Sequence, residues 1–395
     1  PDHQLLVVDE AHHLEDVATE AFTLAFSQEE CLGVLQEAAG SRGLLARWSA
    51  LPLDADGQRA LQEARGEAER ALSNLADPFA DAASALLPRG ETGGEKGEGE
   101  VRFRPRGAAL SGPPWENAQR AGLELAAVLE RLSTLTAGAA EKVSSLRSGE
   151  GEEAIWLEAR RGEALAAKAA RLAEALRVFL RDPEDEAFAR HLRWLERPGG
   201  GAQARSPSLR LKSAPASVEG LLSSLLFSRL RSAVLTSASL RAGSGRQGFQ
   251  FFLRRSGLEL VEEWGREVRL LALDSPFDYS RQVRLLAVTD LPEPAARGPA
   301  FARYMKEVSR VVEEVVLAAG GRALVLLTSH QQVEFLYSEL GPRLEGHGLC
   351  CLRQGRRTPN ALLLERFRAD RESVLLATEA FWEGIDVPGE SLSAV

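Results

Sequence analysis

Leu5-Leu6-Val7-Val8-Asp9-Glu10-Ala11-His12 is an apolar run that stops abruptly on two carboxylates. A short, unbroken apolar run reads as a buried strand of a parallel sheet, and such sheets deliver charged groups to their carboxyl edge. Near the other end, Val374-Leu375-Leu376-Ala377-Thr378 leads through Glu379-Ala380 into Phe381-Trp382-Glu383-Gly384-Ile385-Asp386-Val387-Pro388-Gly389. An acidic pair at a sheet edge is where nucleotide hydrolases place a Mg²⁺ ligand and the residue that aligns water. Adjacent carboxylates without a basic neighbour repel unless a cation compensates, which makes Asp9 the candidate metal ligand and Glu10 the candidate base. The competing use of such acids is to face a helix dipole. The chain opens on Pro1 and holds no glycine-rich phosphate loop ending in Gly-Lys-Ser/Thr, so it reads as a piece of a longer protein.

Working outward, residues 12–39 read as helix. From there to about residue 197 Ala, Leu, Glu and Arg dominate. Leu61, Ala64, Ala68, Leu72 and Leu75 recur at helical spacing, as do Leu125, Val128, Leu129, Leu132 and Leu135, and then Leu165, Ala169, Leu172, Leu176 and Phe179. This is a helical insertion with its own core, interrupted at 89–100 and closed by Pro198-Gly199-Gly200-Gly201. Alternation then resumes. Residues 217–230 read as an amphipathic helix, 232–235 and 283–288 as strands, 301–318 as helix and 323–327 as strand. Ser329 is a natural cap for the next helix, and Thr358-Pro359 opens another in the favoured cap-and-proline order. The pattern implies a second parallel α/β domain.

Net charge is −9, which argues mildly against a nucleic-acid binder. Between Arg205 and Arg255, however, nine Lys/Arg residues stand against the single acid Glu219, and a local basic stripe is enough to hold phosphates. Arg229, Arg231 and Arg241 are its candidate contacts. Cys31, Cys350 and Cys351 form no metal-ligand spacing and read as buried free thiols of a reducing compartment. No run approaches the roughly 18 apolar residues of a membrane span. His12-His13-Leu14-Glu15-Asp16 fails as an inverted zinc-protease motif, because Asp16 stands where the second histidine is needed.

Thr236-Ser237-Ala238-Ser239 puts hydroxyls at the tip of the first strand after the insertion. Thr328-Ser329-His330 opens a helix and suits a nucleic-acid phosphate. In the 381–389 segment Gly384 allows close backbone approach, and Glu383 or Asp386 is placed to sense a nucleotide. Trp382 is either core or a contact to a nucleic-acid strand.

In this order the blocks resemble the DinG/XPD-like branch of superfamily 2 DNA helicases. Asp9-Glu10-Ala11-His12 is similar to its DEAH box, residues 236–240 to motif III, 326–330 to motif IV and 378–389 to motif V. Ser275-Pro276-Phe277-Asp278 and Gln282 also match a DinG-type feature. The resemblance implies an α/β protein with two RecA-like parallel-sheet motor domains, both incomplete here, and an arch-like helical insertion. Residues 1–30 and 206–281 would belong to the first motor domain, 31–205 to the arch and 282–395 to the second. It implies ATP and Mg²⁺ as cofactors and 5′ to 3′ movement on single-stranded DNA, with unwinding of forked or duplex DNA in repair or replication. Asp9, Glu10 and His12 would be catalytic, with His12 coupling the nucleotide to motif III. Ser237, Ser239, Glu383, Gly384 and Asp386 would face the nucleotide, while Thr328, Ser329, His330, Thr378 and Trp382 would grip DNA. A bacterial cytoplasmic location follows, with no membrane and no named protein partner. The phosphate-loop lysine and motif VI would lie outside the chain, so the isolated piece is expected to be nearly inert. An iron–sulfur cluster has no ligands here. The alternative is a helicase-derived DNA-binding module without motor activity, and no residue present points to a nuclease.

Overall fold

The computed structural model describes residues 4–86, 101–146, 152–197, 209–295, 298–355, 358–383, 385–387 and 389–395. The tract at 89–100, the break at 198–201, Arg205 and Gly384 lie outside the described residues. Two compact units make up the chain, Pro1–Leu273 and Asp274–Val395.

The first unit begins with β1 (Leu5–Val8), a 3₁₀ turn at Ala11–His13 and α1 (Leu14–Ala21). Then come β2 (Leu24–Ser27), α2 (Gln28–Ala39), α3 (Leu44–Trp48), α4 (Ala55–Asn74) and α5 (Ala76–Ser84). Strand β3 (Val101–Phe103) leads to the long helices α6 (Pro113–Ser145) and α7 (Glu152–Phe179). The unit closes through β4 (His191–Arg197), β5 (Arg210–Pro215), α8 (Glu219–Leu221), β6 (Ser232–Leu235), α9 (Gln250–Arg255) and α10 (Leu258–Glu263).

The helical stripes read from the sequence meet in one core: Leu61, Ala64 and Ala68 of α4, Leu125, Leu129 and Leu132 of α6, and Leu165, Leu172, Leu176 and Phe179 of α7. Trp48 is fully buried among them, and its indole N–H donates to Glu158 Oε2 at 3.2 Å. Gly162 of α7 lies so close that a Cβ there would stand 2.1 Å from the Trp48 ring.

The first unit departs from the expected elements at several points. The helix over 12–39 is broken by β2, because Leu24 to Ser27 pair antiparallel with Ser213 to Arg210 of β5 and bury Phe26 in the core. Residues 31–205 are therefore not purely helical: their strands β3 and β4 extend the β2-β5 pair into a four-stranded antiparallel sheet, in the order β2-β5-β4-β3. The helix over 217–230 is a succession of short turns, α8, a π turn at Leu222–Leu226 and a 3₁₀ turn at Phe227–Arg229. Ser223 Oγ, 2.6 Å from Glu219 O and 2.8 Å from Gly257 O, competes there with the regular ladder.

β1 and β6 form a two-stranded parallel sheet, Leu5 opposite Ser232 and Val8 opposite Leu235. One face packs Leu6 and Leu235 against Ala18, Leu222, Phe227 and Val261. The other leaves Leu5 and Val7 about 70% exposed, so the expected two-sided burial of β1 is not found. Among the described residues only one face of the pair is covered.

The second unit runs α11 (Tyr279–Gln282), α12 (Gly298–Ala319), β7 (Ala323–Leu326), α13 (His330–Gly346), β8 (Cys350–Arg353), α14 (Asn360–Ala369) and β9 (Ser373–Ala377). Its sheet is parallel, in the order β7-β9-β8. Central β9 is buried on both faces. Val374 and Leu376 meet Met305, Val333, Leu336 and Leu340, while Leu375 and Ala377 meet Leu363, Phe367 and Phe381. An unbroken apolar sequence is what such a strand requires.

The strand expected at 283–288 is not found: these residues are exposed, Leu285 to 93%, and pair with no strand among the described residues. Strand β8, which was not anticipated, pairs with β9 instead. Helix α14 starts at Asn360 with Pro359 in the cap position, one residue beyond the expected order. Cys31 and Cys351 are buried, and burial pushes both thiols up to about 12, but Cys350 is exposed. Among the described residues no helix is long and apolar enough to cross a membrane.

Candidate functional site

The turns that follow β1 and β6 are stitched together by the backbone. Thr236 N–H donates to Val8 O at 2.8 Å, and Ala11 N–H donates to Thr236 O at 2.9 Å. Between them Glu10 adopts the left-handed region at φ 50°, which a residue with a Cβ enters at a cost of about 1–2 kcal/mol. Such backbone concentrates at functional sites.

This turn gathers the predicted residues of the first unit. His12 Nδ1 lies 2.7 Å from Ser237 Oγ and 3.4 Å from Glu10 Oε2, and Ser237 Oγ is 3.5 Å from the same carboxylate oxygen. Ser239 joins through its N–H, which donates to Ser237 Oγ at 3.3 Å. On Asp9, Oδ1 accepts from Thr236 Oγ1 at 2.6 Å and from Glu10 N–H at 3.0 Å. The Thr236 hydroxyl, aided by the Glu10 amide, holds the Asp9 carboxyl below the usual carboxylate range. Asp9, Glu10, His12, Ser237 and Ser239 thus form one exposed to part-buried, oxygen-rich cluster, and Thr236, the first of the hydroxyls read at this strand tip, is its organising hydroxyl.

The sign of that shift fixes a pH dependence. A carboxyl whose folded pKa is depressed contributes stability above its unfolded value, and the contribution is lost as pH falls through the folded value. Thr236→Val is expected to return Asp9 towards the ordinary range. A carboxyl-carbon NMR titration checks this, and an unmoved midpoint would contradict the assigned cause.

The basic stripe is thinner than its sequence implies. Lys212 pairs with Glu196, Arg246 with Glu262, Arg254 with Glu259 and Arg255 with Glu15. Arg229, Arg231 and Arg241 are exposed and form no ion pair among the described residues. Arg231 and Arg241 line a groove of about 870 Å³ beside β6, together with Ser237, Phe249 and Arg269.

In the second unit Thr328, Ser329 and His330 follow β7, and Thr378 follows β9, so the parallel sheet puts all four at its carboxyl edge. Ser329 Oγ caps α13 by accepting from Gln332 N–H at 3.3 Å. The two aromatics at 381–382 divide their roles: Phe381 is buried, and Trp382 is 55% exposed. The core role considered for Trp382 therefore falls to its neighbour. Asp386 is exposed, and its backbone carbonyl accepts from Arg368. Glu383 is exposed as well. Gln332 and Gln354, which hold the two threonines, were missed. Gln354 follows β8, the strand that was not anticipated.

Residues 312–395 match the helicase C-terminal domain family. A protein of Mycobacterium tuberculosis named ATP-dependent helicase DinG is 34% identical over 202 residues, covering 51% of this chain and 28% of that protein. The Escherichia coli ATP-dependent DNA helicase YoaA is 32% identical over 193 residues, 49% of this chain and 27% of its own length. A Bacillus subtilis protein named 3′-5′ exonuclease DinG is 28% identical over 220 residues, 55% of this chain and 22% of that protein. The chain thus spans about a quarter of the length of the curated relatives it matches. With a helicase C-terminal domain match from residue 312 and DinG- and YoaA-type likeness over about half its length, the chain is DinG-like in sequence, as its motifs suggested.

Proposed function

We propose that this chain is part of an ATP- and Mg²⁺-dependent DNA helicase of DinG type, with Glu10 as the base that aligns the attacking water. The observation that carries the reading is the cluster of Asp9, Glu10, His12 and Ser237 at the carboxyl ends of two parallel strands. Residues 1–30 and 206–281 then belong to one motor domain, 31–205 to an arch-like insertion and 282–395 to the second motor domain. The donor set suits Mg²⁺, a hard cation that keeps most of its waters and takes carboxylate oxygen. The bonds from Thr236 and Glu10 fall on Asp9 Oδ1, which leaves Oδ2 for a metal-bound water and keeps the carboxyl anionic. When bound, Mg²⁺ neutralises charge on the nucleotide phosphates.

His12 links the two halves of the cluster. Its Nδ1 is within hydrogen-bond reach of Ser237 and close to Glu10, so a change at the carboxylate reaches the β6 turn through one imidazole. DNA is held by Arg229, Arg231 and Arg241 of the first unit and by Thr328, Ser329, His330 and Trp382 in the second, with Thr378 beside them at the sheet edge. Base stacking on Trp382 would contribute about 1–3 kcal/mol. Movement is 5′ to 3′, in bacterial cytoplasmic repair or replication. Unwinding only substrates with a 5′ tail is the expected result, and unwinding only 3′-tailed ones contradicts the polarity.

Reversing the charges of Arg229, Arg231 and Arg241 is expected to weaken binding of single-stranded DNA and flatten its salt dependence. Three phosphate contacts at ~0.7 each should remove roughly two from the log–log slope. Fluorescence anisotropy across a salt series measures it, and an unchanged slope removes these arginines from the interface.

A further inference from the structure

One hydrogen-bonding arrangement occurs twice at the carboxyl edge of the second unit's sheet. After β7, Thr328 donates both its backbone N–H and its hydroxyl to Gln332 Oε1, each at 3.0 Å, on the exposed surface. After β9, Thr378 donates its N–H at 2.7 Å and its hydroxyl at 2.8 Å to Gln354 Oε1. The second pair is buried, with Thr378 9% and Gln354 7% exposed.

Gln354 ties three elements together. It continues β8 by donating its own N–H to Leu376 O at 2.9 Å. Its carbonyl oxygen takes both donors of Thr378, and its Nε2 lies 3.4 Å from Asn360 Oδ1 at the start of α14. The hydroxyl proton and the N–H of Thr378 are therefore spent inside the unit, away from any phosphate. What Thr378 controls is the turn that follows. Phe381 N–H donates to Thr378 O at 2.9 Å, Phe381 enters the core, and the next residue is the exposed Trp382.

We propose that Gln354 is a positioning residue: by accepting both donors of Thr378 it fixes the 378–381 turn, which presents Trp382 to single-stranded DNA. Thr378 acts in this arrangement as a link rather than as a phosphate ligand. The proposal rests on the reading of the second unit as a DNA-gripping motor half.

The test uses the 395-residue chain with labelled oligothymidylate at low salt, and hydrogen exchange at the Thr378 amide. Gln354→Leu and Thr378→Val are each expected to weaken binding about tenfold, the scale of one or two lost hydrogen bonds. Their combination should cost little more than either alone. Gln354→Glu, which keeps an acceptor oxygen in place, should restore binding. Gln354→Leu should also expose the Thr378 amide to exchange while the amides of residues 374–377 stay protected, which separates positioning from unfolding. If Thr378 contacts phosphate directly, Thr378→Val weakens binding and Gln354→Leu, which frees the hydroxyl, does not; that result overturns the proposal. Should Gln354→Leu fail to fold, Gln354→Asn withdraws the acceptor with less disturbance, and unchanged affinity there overturns it equally. If the unaltered chain does not hold the oligonucleotide, the functional reading fails. The amide exchange then still decides whether Gln354 fixes the turn, and unchanged protection in Gln354→Leu rejects it.

Discussion

Glu10→Gln is expected to lower DNA-stimulated ATP hydrolysis by the whole helicase roughly 10³-fold, the scale of losing a general base. ATP binding should be retained. The amide has the size of the carboxylate and can still accept from Ser237, so the turn after β1 keeps its shape. What it loses is the capacity to take a proton from water. The left-handed backbone at Glu10 sets this side chain beside His12 and Ser237. The change therefore removes chemistry without removing the scaffold. Turnover and nucleotide binding, measured side by side, check it. Undiminished turnover would reject Glu10 as the base. Binding of DNA without any hydrolysis in the unaltered whole protein would instead favour a DNA-binding module without motor activity.

The second large effect concerns the helical insertion. Trp48→Ala is expected to destabilise it by about 3–5 kcal/mol, the cost of emptying a fully buried indole site. Gly162→Ala makes the opposite error at the same place. Its methyl carbon would lie 2.1 Å from the Trp48 ring and 3.0 Å from Ala140 Cβ, so the ring or helix α7 must shift. Overpacking of this kind costs about 1–3 kcal/mol. Because the two changes share one volume, the double variant should be more stable than the sum of the single losses predicts. Urea denaturation followed by helical circular dichroism measures all three. Strict additivity would show that Gly162 and Trp48 do not share the space.

Strand β9 was legible because a strand covered by helices on both faces has only apolar positions to offer. The stripes of α4, α6 and α7 were legible because one buried face repeats every turn. Strands β2, β4 and β5 were not. Leu24-Ala25-Phe26-Ser27 looks like the continuation of a helix, and its strand character comes from a partner far along the chain at Arg210 to Ser213. In β4 and β5, polar side chains such as Arg193, Glu196 and Lys212 hide the pattern. Glu196 is buried but is met by Lys212 at 2.9 Å and by the Trp194 indole at 2.7 Å. The run at 283–288 failed in the opposite way: its apolar residues suit a strand, but no strand among the described residues pairs with them. At the candidate site the acids and hydroxyls could be chosen from their places after strands. The partner residues Gln332 and Gln354 could not, since a hydrogen-bond acceptor is chosen by geometry that no local spacing records.

Pairing Ala25 with Lys212 has a further consequence for how this architecture is built. The polypeptide leaves for its long detour and comes home through the same narrow doorway, zipped shut by backbone bonds. The distance between exit and re-entry is thus independent of what is spliced in between. A lineage could lengthen, shorten or exchange the excursion while the acidic turn after β1 and its partner after β6 stay in register.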